Sequence, residues 1–386
     1  MKITKITPVV VHAKFRNWVM AKVETDAGIV GWGEGTVGRK TRAVAGCIDD
    51  LAYLILGQDP CRIEHVYNIM YRQYFWRPGL VIMGAMSAIE TACWDILAKS
   101  LDVPLYKILG GQVRDKVRMY DHPAGGNPDA VYNTDTPEGI VEAVQISLDA
   151  GLDAVKVTIV PPTMPVESGK PIRKLERMMR ALRDHVGEDV DLMVDFHGRT
   201  TPEMGIQYGR MLEQFDLLFM EEPCPPENPL GLQKVSERIN IPLATGERLV
   251  TTFQFREIVE KQSVAIVQPD LCICGGLWQG KKIASMAETY YIAIAPHNPL
   301  GPISTAAALH FAFSTPNFLI QEALRLDAPW RDDVVDDPWL SENGYTYPRE
   351  KPGLGVNLKD DAAEKYPFEQ EKPYTYYHPD GSVADW

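Results

Sequence analysis

Acidic and imidazole side chains recur along the second half of this chain at a nearly constant interval. Asp195, Glu221, Glu247, Asp270, His297 and Glu322 are separated by 26, 26, 23, 27 and 25 residues, and each lies at or just beyond the end of a short apolar run. One strand-plus-helix unit of a barrel takes about that length, because ~250 residues make eight units. Side chains presented once per unit at strand ends converge on one mouth. The apolar runs at 117–120, 154–160, 192–194, 217–220, 265–267, 292–295 and 318–320 alternate with amphipathic helical patterns. Repeated units of this kind imply a parallel sheet with buried strands. Counting back from Asp195 assigns Lys156 to the second strand and Tyr120, Asp121 and His122 to the end of the first.

At 386 residues the chain is long enough for such a barrel plus a smaller module. Residues 3–12 and 18–25 carry β-branched, alternating patterns, and Asp26-Ala27-Gly28 makes a hairpin between the second run and 29–33. From about 40 to 110 the periodicity turns helical, with Ile82, Ala85, Met86, Ile89, Cys93 and Ile96 at three- and four-residue steps, until Gly110-Gly111 breaks it. These patterns divide the chain into an α+β module at 1–112, a barrel at 113–330 and a segment at 331–386. That last segment is too rich in Tyr and Trp for a solvated tail, so it is expected to pack back on the first module.

The 39 Lys and Arg against 52 Asp and Glu give a net charge of −13, which repels phosphate backbones and anionic lipid, so neither nucleic acid nor a membrane is an expected partner. An anionic substrate is repelled too, unless the acidic groups gather round a cation that inverts the local field. No apolar run approaches the ~18 residues of a membrane span, and Cys272-Ile273-Cys274 lacks the two-residue spacer of redox and zinc motifs. Free buried thiols and a cytoplasmic location are expected.

Asp195, Glu221 and Glu247, on successive strands, would point into one mouth, where three like charges cannot all stay ionised without a cation between them. With neither Cys nor His in the set, Mg²⁺ is favoured over Zn²⁺, one ion per site, and Mn²⁺ can substitute. Asp270 and His297 end neighbouring strands, so the carboxylate can fix the imidazole tautomer and make its other nitrogen a better base. His197, two residues after Asp195, can point the same way as that ligand, and two histidines on well-separated strands give one base and one acid on different sides of a bound substrate. Glu322 could donate to a developing oxyanion only if its pKa is raised enough to keep it protonated.

These residues resemble the enolase superfamily, in its mandelate racemase-like group, and within it the D-galactonate dehydratases. The similarity runs through Trp32-Gly33-Glu34, Val194-Asp195-Phe196-His197-Gly198-Arg199, Met220-Glu221-Glu222-Pro223, Gly246-Glu247-Arg248, Gln268-Pro269-Asp270-Leu271 and Pro296-His297-Asn298-Pro299-Leu300-Gly301-Pro302, to the final Ser382-Val383-Ala384-Asp385-Trp386. The fold it implies is α/β, a modified (β/α)8 TIM-type barrel closed by an N-terminal α+β capping domain. The activity it implies is Mg²⁺-dependent dehydration of an acid sugar, with D-galactonate the expected substrate, in a homo-oligomer. His297, paired with Asp270, would take the proton α to the carboxylate, His197 would protonate the departing 3-hydroxyl, and Glu322 would stabilise the enolate.

Racemases of the group carry Lys-x-Lys on the second barrel strand, whereas this chain reads Lys156-Val157-Thr158. Thr158 and the loop at 121–136 depart from the dehydratase pattern, which keeps another aldonate or an acid-sugar cycloisomerisation as enzymatic alternatives. A non-catalytic sugar-acid binding protein is the alternative of a different class. Lys156, Thr158, His122, Arg16 and Trp18 are the expected substrate contacts.

Overall fold

In a computed structural model, the described residues are 1–386 apart from 74, 78, 124–133, 324–326 and 374, so most of the 121–136 loop lies outside them. The alternating N-terminal runs form an antiparallel sheet of β1 (Ile3–Ala13), β2 (Arg16–Thr25) and β3 (Val30–Glu34), in that order. The turn before β3 is tied by Thr25, whose hydroxyl donates to Ile29 O at 2.8 Å and accepts from Ile29 N at 3.1 Å. The Leu80–Ser100 helix lies directly on this sheet. Gly33 permits the approach, since a Cβ there would sit 2.0 Å from Ala88 O.

By length and composition Leu80–Ser100 could cross a membrane, contrary to the reading that no segment comes close. It is a core helix instead. Its faces are buried all round, because it lies between the N-terminal sheet and the barrel, and a helix packed on every side needs no polar face.

The barrel strands are β4 (Val117–Asp121), β5 (Ala154–Val157), β6 (Asp191–Asp195), β7 (Leu217–Glu221), β8 (Leu243–Thr245), β9 (Ile266–Val267), β10 (Ala293–Ile294) and β11 (Gln321–Ala323). Each pairs in parallel with the next, from β4 through β10, and β11 pairs β4. Leu319 N donates to Ile294 O at 2.7 Å, so the chain entering β11 also bonds β10 and closes the ring. Each strand is followed by a crossover helix until β11, after which the described chain has none at that position and runs to β12 (Tyr345–Thr346), antiparallel to β4. The barrel is thus the modified form, with seven crossover helices among the described residues and β12 paired to the start of β4.

The barrel interior explains the spacing of the reactive residues. Tyr120, Ala154, Met193, Phe219, Ala244, Ile266, Ala295 and Ile320 form one apolar layer, a residue from each strand or its flank. A strand returns to the same face every second residue. Two positions on, toward the C-terminal end, stand His122, Lys156, Asp195, Glu221, Gly246, Gln268, His297 and Glu322. The polar mouth is the next layer above the apolar plug.

The N-terminal module is fixed to the barrel through buried carboxylates. The Leu277–Glu288 helix begins after Gly276, which has no side chain to cap it, and Glu90 accepts from Leu277 N at 2.9 Å and Trp278 N at 3.0 Å. At Gly276 φ is +92° and a Cβ would collide with that carboxylate, so glycine is required there. Glu34 likewise accepts from Gly301 N at 2.8 Å and Ser304 N at 2.9 Å at the start of the Pro302–Phe313 helix. Both helices thus have their orphan N–H groups satisfied from across the module boundary.

The C-terminal segment returns to the N-terminal sheet. Trp330 Nε1 donates to His12 O at 2.8 Å, the Trp330 and Tyr366 rings stack at 4.7 Å, and Asn17 Nδ2 donates to Glu369 O at 2.9 Å. All six cysteines are free thiols.

Candidate active site

A cavity of about 320 Å³ occupies the C-terminal mouth of the barrel, lined by Asp195, His197, Glu247, Asp270 and His297 from strand ends and by Phe15, Arg16 and Arg39 from the N-terminal module. Asp195 and Glu221 are the last residues of β6 and β7, side by side in register, and Glu247 follows β8. One oxygen from each lies within 4.8 Å of the others.

Among the described residues, Glu221 Oε1 is buried without a hydrogen-bond partner, while Asp195 Oδ2 and Glu247 Oε2 face imidazole nitrogens, His197 Nε2 at 2.9 Å and His297 Nε2 at 3.3 Å. Burial raises the Glu221 carboxyl well above its ordinary value; Lys156 opposes this, while Asp195 and Glu247 push it further up. Three clustered carboxylates that repel one another, one of them with an oxygen no donor reaches, fit a hard cation, which satisfies all of them at once.

Lys156, fully buried, spans the mouth from the other side. Its Nζ lies 2.7 Å from Glu221 Oε2 and 3.0 Å from Glu322 Oε1. Burial disfavours its charge, but those two carboxylates outweigh it and hold the ammonium protonated. Gln268 Nε2 also donates to Glu221 Oε2, at 2.7 Å.

His297 Nδ1 lies 2.8 Å from Asp270 Oδ2, and its Nε2 is 3.3 Å from Glu247 Oε2, so the ring bridges its orienting carboxylate and the triad. Burial lowers its pKa, but Glu247, Glu322 and Asp270 outweigh that and bring it up to about 10. His197 stands on the β6 side, with Nε2 2.9 Å from Asp195 Oδ2, its backbone N–H donating to Asp195 Oδ1 at 2.8 Å, and φ at +49°. Its imidazole stacks on the Trp386 ring at 5.1 Å.

Glu322 departs from the condition set for it. Burial raises its pKa, yet Lys156, His297 and His122 outweigh burial and bring it down to about 2, and Asn298 N donates to it at 2.7 Å. The group is an ionised acceptor; the cationic donor beside it is Lys156. His122 Nε2 lies 3.4 Å from Glu322 Oε1, in the mouth as expected, and burial and Lys156 lower its pKa to about 3, leaving it neutral.

Two expected substrate contacts fall elsewhere. Trp18 is fully buried in the module core with the Arg331 guanidinium 5.5 Å above its ring, because it lies further along β2 from the mouth than Arg16. Thr158 lines a different cavity, beside Arg199 and Tyr376. Trp386, Phe15, Arg39 and Gln268 were not singled out from sequence. Gln268 and Trp386 both stand in the segments that carry the family resemblance, but neither was given a role there, and the approach of Trp386 to His197 is purely tertiary.

Residues 4–110 match the family model "Mandelate racemase / muconate lactonizing enzyme, N-terminal domain", and 139–362 match "Enolase C-terminal domain-like". The chain is 34% identical to a D-galactonate dehydratase of Pectobacterium atrosepticum, over all of both chains, and 35% identical to one of Variovorax paradoxus, covering 99% of this chain and all of that one. A crystal structure of an enolase superfamily member from Salmonella Typhimurium superposes with a TM-score of 0.89 at 35% identity, covering 95% of this chain and 98% of that one. An enolase from Agrobacterium radiobacter, provisionally named a galactarate dehydratase and solved with sodium and L-malate, gives 0.90 at 31% identity with both chains fully covered. A closed barrel with its strand-end carboxylate triad, a module capping two of its helices, and full-length likeness at this level together identify the chain as a member of the mandelate racemase and muconate lactonizing enzyme group of the enolase superfamily.

Proposed function

We propose that the chain is a Mg²⁺-dependent acid-sugar dehydratase that converts D-galactonate to its 2-keto-3-deoxy acid. The observation that carries this reading is the pair of imidazoles on separate strand ends flanking the triad, His197 after β6 and His297 after β10. Dehydration needs one group to take a proton and another to give one.

Asp195, Glu221 and Glu247 would hold the divalent ion, which when bound supplies positive charge for the substrate carboxylate and offsets the Glu247 charge that keeps His297 protonated. His297 Nε2 then takes the proton α to the carboxylate, while Asp270 holds Nδ1 and steadies the imidazolium. Lys156 balances negative charge beside Glu221 and Glu322. His197 delivers a proton to the 3-hydroxyl as its C–O bond breaks, water leaves, and the enol tautomerises to the 2-keto acid. Lys156 is bound on two sides by carboxylates, and no second lysine follows it, which argues against a lysine-based racemisation. D-galactonate is favoured by the similarity to dehydratases of that name.

The test is an assay of the Mg²⁺-loaded protein against a panel of C5 and C6 aldonates and aldarates, galactarate included, measuring 2-keto-3-deoxy product. Turnover of D-galactonate above the other acids is expected. Preferential turnover of a different acid would replace the substrate and keep the reaction; isomerisation without loss of water would replace the reaction; and silence across the panel would remove both.

A further inference from the structure

Beyond the mouth, a second cavity of about 300 Å³ lies between the segment after β5 and the loop after β6, and among the described residues its lining shares none with the mouth. Thr158, Arg199 and Tyr376 are among its lining residues, together with the exposed side chains of Asp135 and Lys174. Arg199 is 3% exposed. Its Nη1 donates to Val160 O at 3.1 Å, and its guanidinium lies 4.9 Å from the centroid of the Tyr376 ring.

Among the described residues, the other edge of that guanidinium has no partner. Nε and Nη2 are buried without a hydrogen bond, and so is the Thr158 hydroxyl. Buried polar groups are nearly always paired, and a buried cation with free donors is costly to keep. Nε–H and the adjacent Nη2–H form the side-on fork that matches two oxygens of a carboxylate or phosphate. Asp135 does not supply that partner, because its carboxylate is 3.0 Å from Lys174 Nζ at the exposed edge.

We propose that this cavity is an oxyanion-binding site separate from the reaction mouth, taking a carboxylate or phosphate in the Arg199 fork with the Thr158 hydroxyl as a third donor. The chemistry is common to a small organic acid and to inorganic phosphate, and it does not depend on the dehydratase reading.

Calorimetric titration of the full chain in chelator, without turnover, with inorganic phosphate and separately with acetate tests it. One saturable site per chain is expected for at least one anion, and which one binds distinguishes the two sources. Arg199→Lys, which keeps the charge and loses the fork, should weaken binding by roughly tenfold to a hundredfold, and Thr158→Val by a smaller factor. No saturable binding of either anion would overturn the proposal, as would unchanged affinity in a folded Arg199→Lys. If that variant does not fold, unchanged affinity in Thr158→Val overturns it.

Discussion

Two groups of buried carboxylates in this molecule show opposite ways of placing negative charge out of water. Where the module packs on the barrel and on the C-terminal segment, Glu34, Glu90 and Asp95 have donors on both oxygens. Asp95, for example, accepts from Trp32 N at 3.0 Å, Leu354 N at 2.8 Å and Lys99 Nζ at 2.6 Å. At the barrel mouth, Asp195, Glu221 and Glu247 sit equally deep or nearly so and repel one another; among the described residues Glu221 Oε1 has no donor, and Asp195 Oδ2 and Glu247 Oε2 meet only imidazole nitrogens. The first group is complete as folded and holds the structure together; the second is completed only by something that binds. Burial and charge alone do not separate a structural acid from a functional one, whereas the donor inventory does.

The comparison breaks most visibly at the mouth. Glu247→Gln should abolish the rise in thermal midpoint that Mg²⁺ gives the parent protein, a rise worth about 2.7 kcal/mol at a hundredfold excess over Kd. Differential scanning calorimetry with and without Mg²⁺ reads this directly, and an equal rise in the variant would remove Glu247 from the ion site.

At the boundary the effect has the opposite character. Glu90→Ala strands Leu277 N, Trp278 N and the Trp94 indole, so it should lower the unfolding midpoint by several degrees with or without Mg²⁺, at about 1–3 kcal/mol for an unsatisfied buried group. A third effect is in pH. Burial raises Glu90 to about 7, with the donors from Trp278, Trp94 and Leu277 opposing. Its folded pKa exceeds the unfolded value near 4.5, so the native state holds a proton that the unfolded chain releases between those two pH values. That contribution is full below about 4.5 and is lost as pH rises through 7, amounting to a few kcal/mol at most. Glu90→Gln should therefore show a flatter fall in stability from pH 5 to 7.5 than the parent, by denaturant titration; parallel curves would place Glu90 outside the linkage.

Much of the mouth was legible in sequence because barrel geometry repeats. A unit of about 25 residues and a two-residue alternation suffice to align Asp195, Glu221 and His297, since register in a closed parallel sheet leaves them no other face; Glu247, one residue past the inward position at Gly246, follows from the unit length alone. The short strand Leu243–Thr245 escaped notice because its three residues are too few for a pattern, and β11 begins beyond the apolar run that marked it. Contacts between distant segments were beyond periodicity. Trp386 reaches His197, Glu90 caps a helix 187 residues away, and Trp18 is buried in the core of the module. The charge state of Glu322 also depended on tertiary neighbours, above all Lys156.

The most direct test of the mouth as a reaction centre is the turnover of D-galactonate by His297→Asn, loaded with Mg²⁺ and matched to the parent in thermal midpoint. A fall of about 10²- to 10⁴-fold or more is the predicted result for a proton-abstracting imidazole held by Asp270. Turnover close to that of the parent would contradict it.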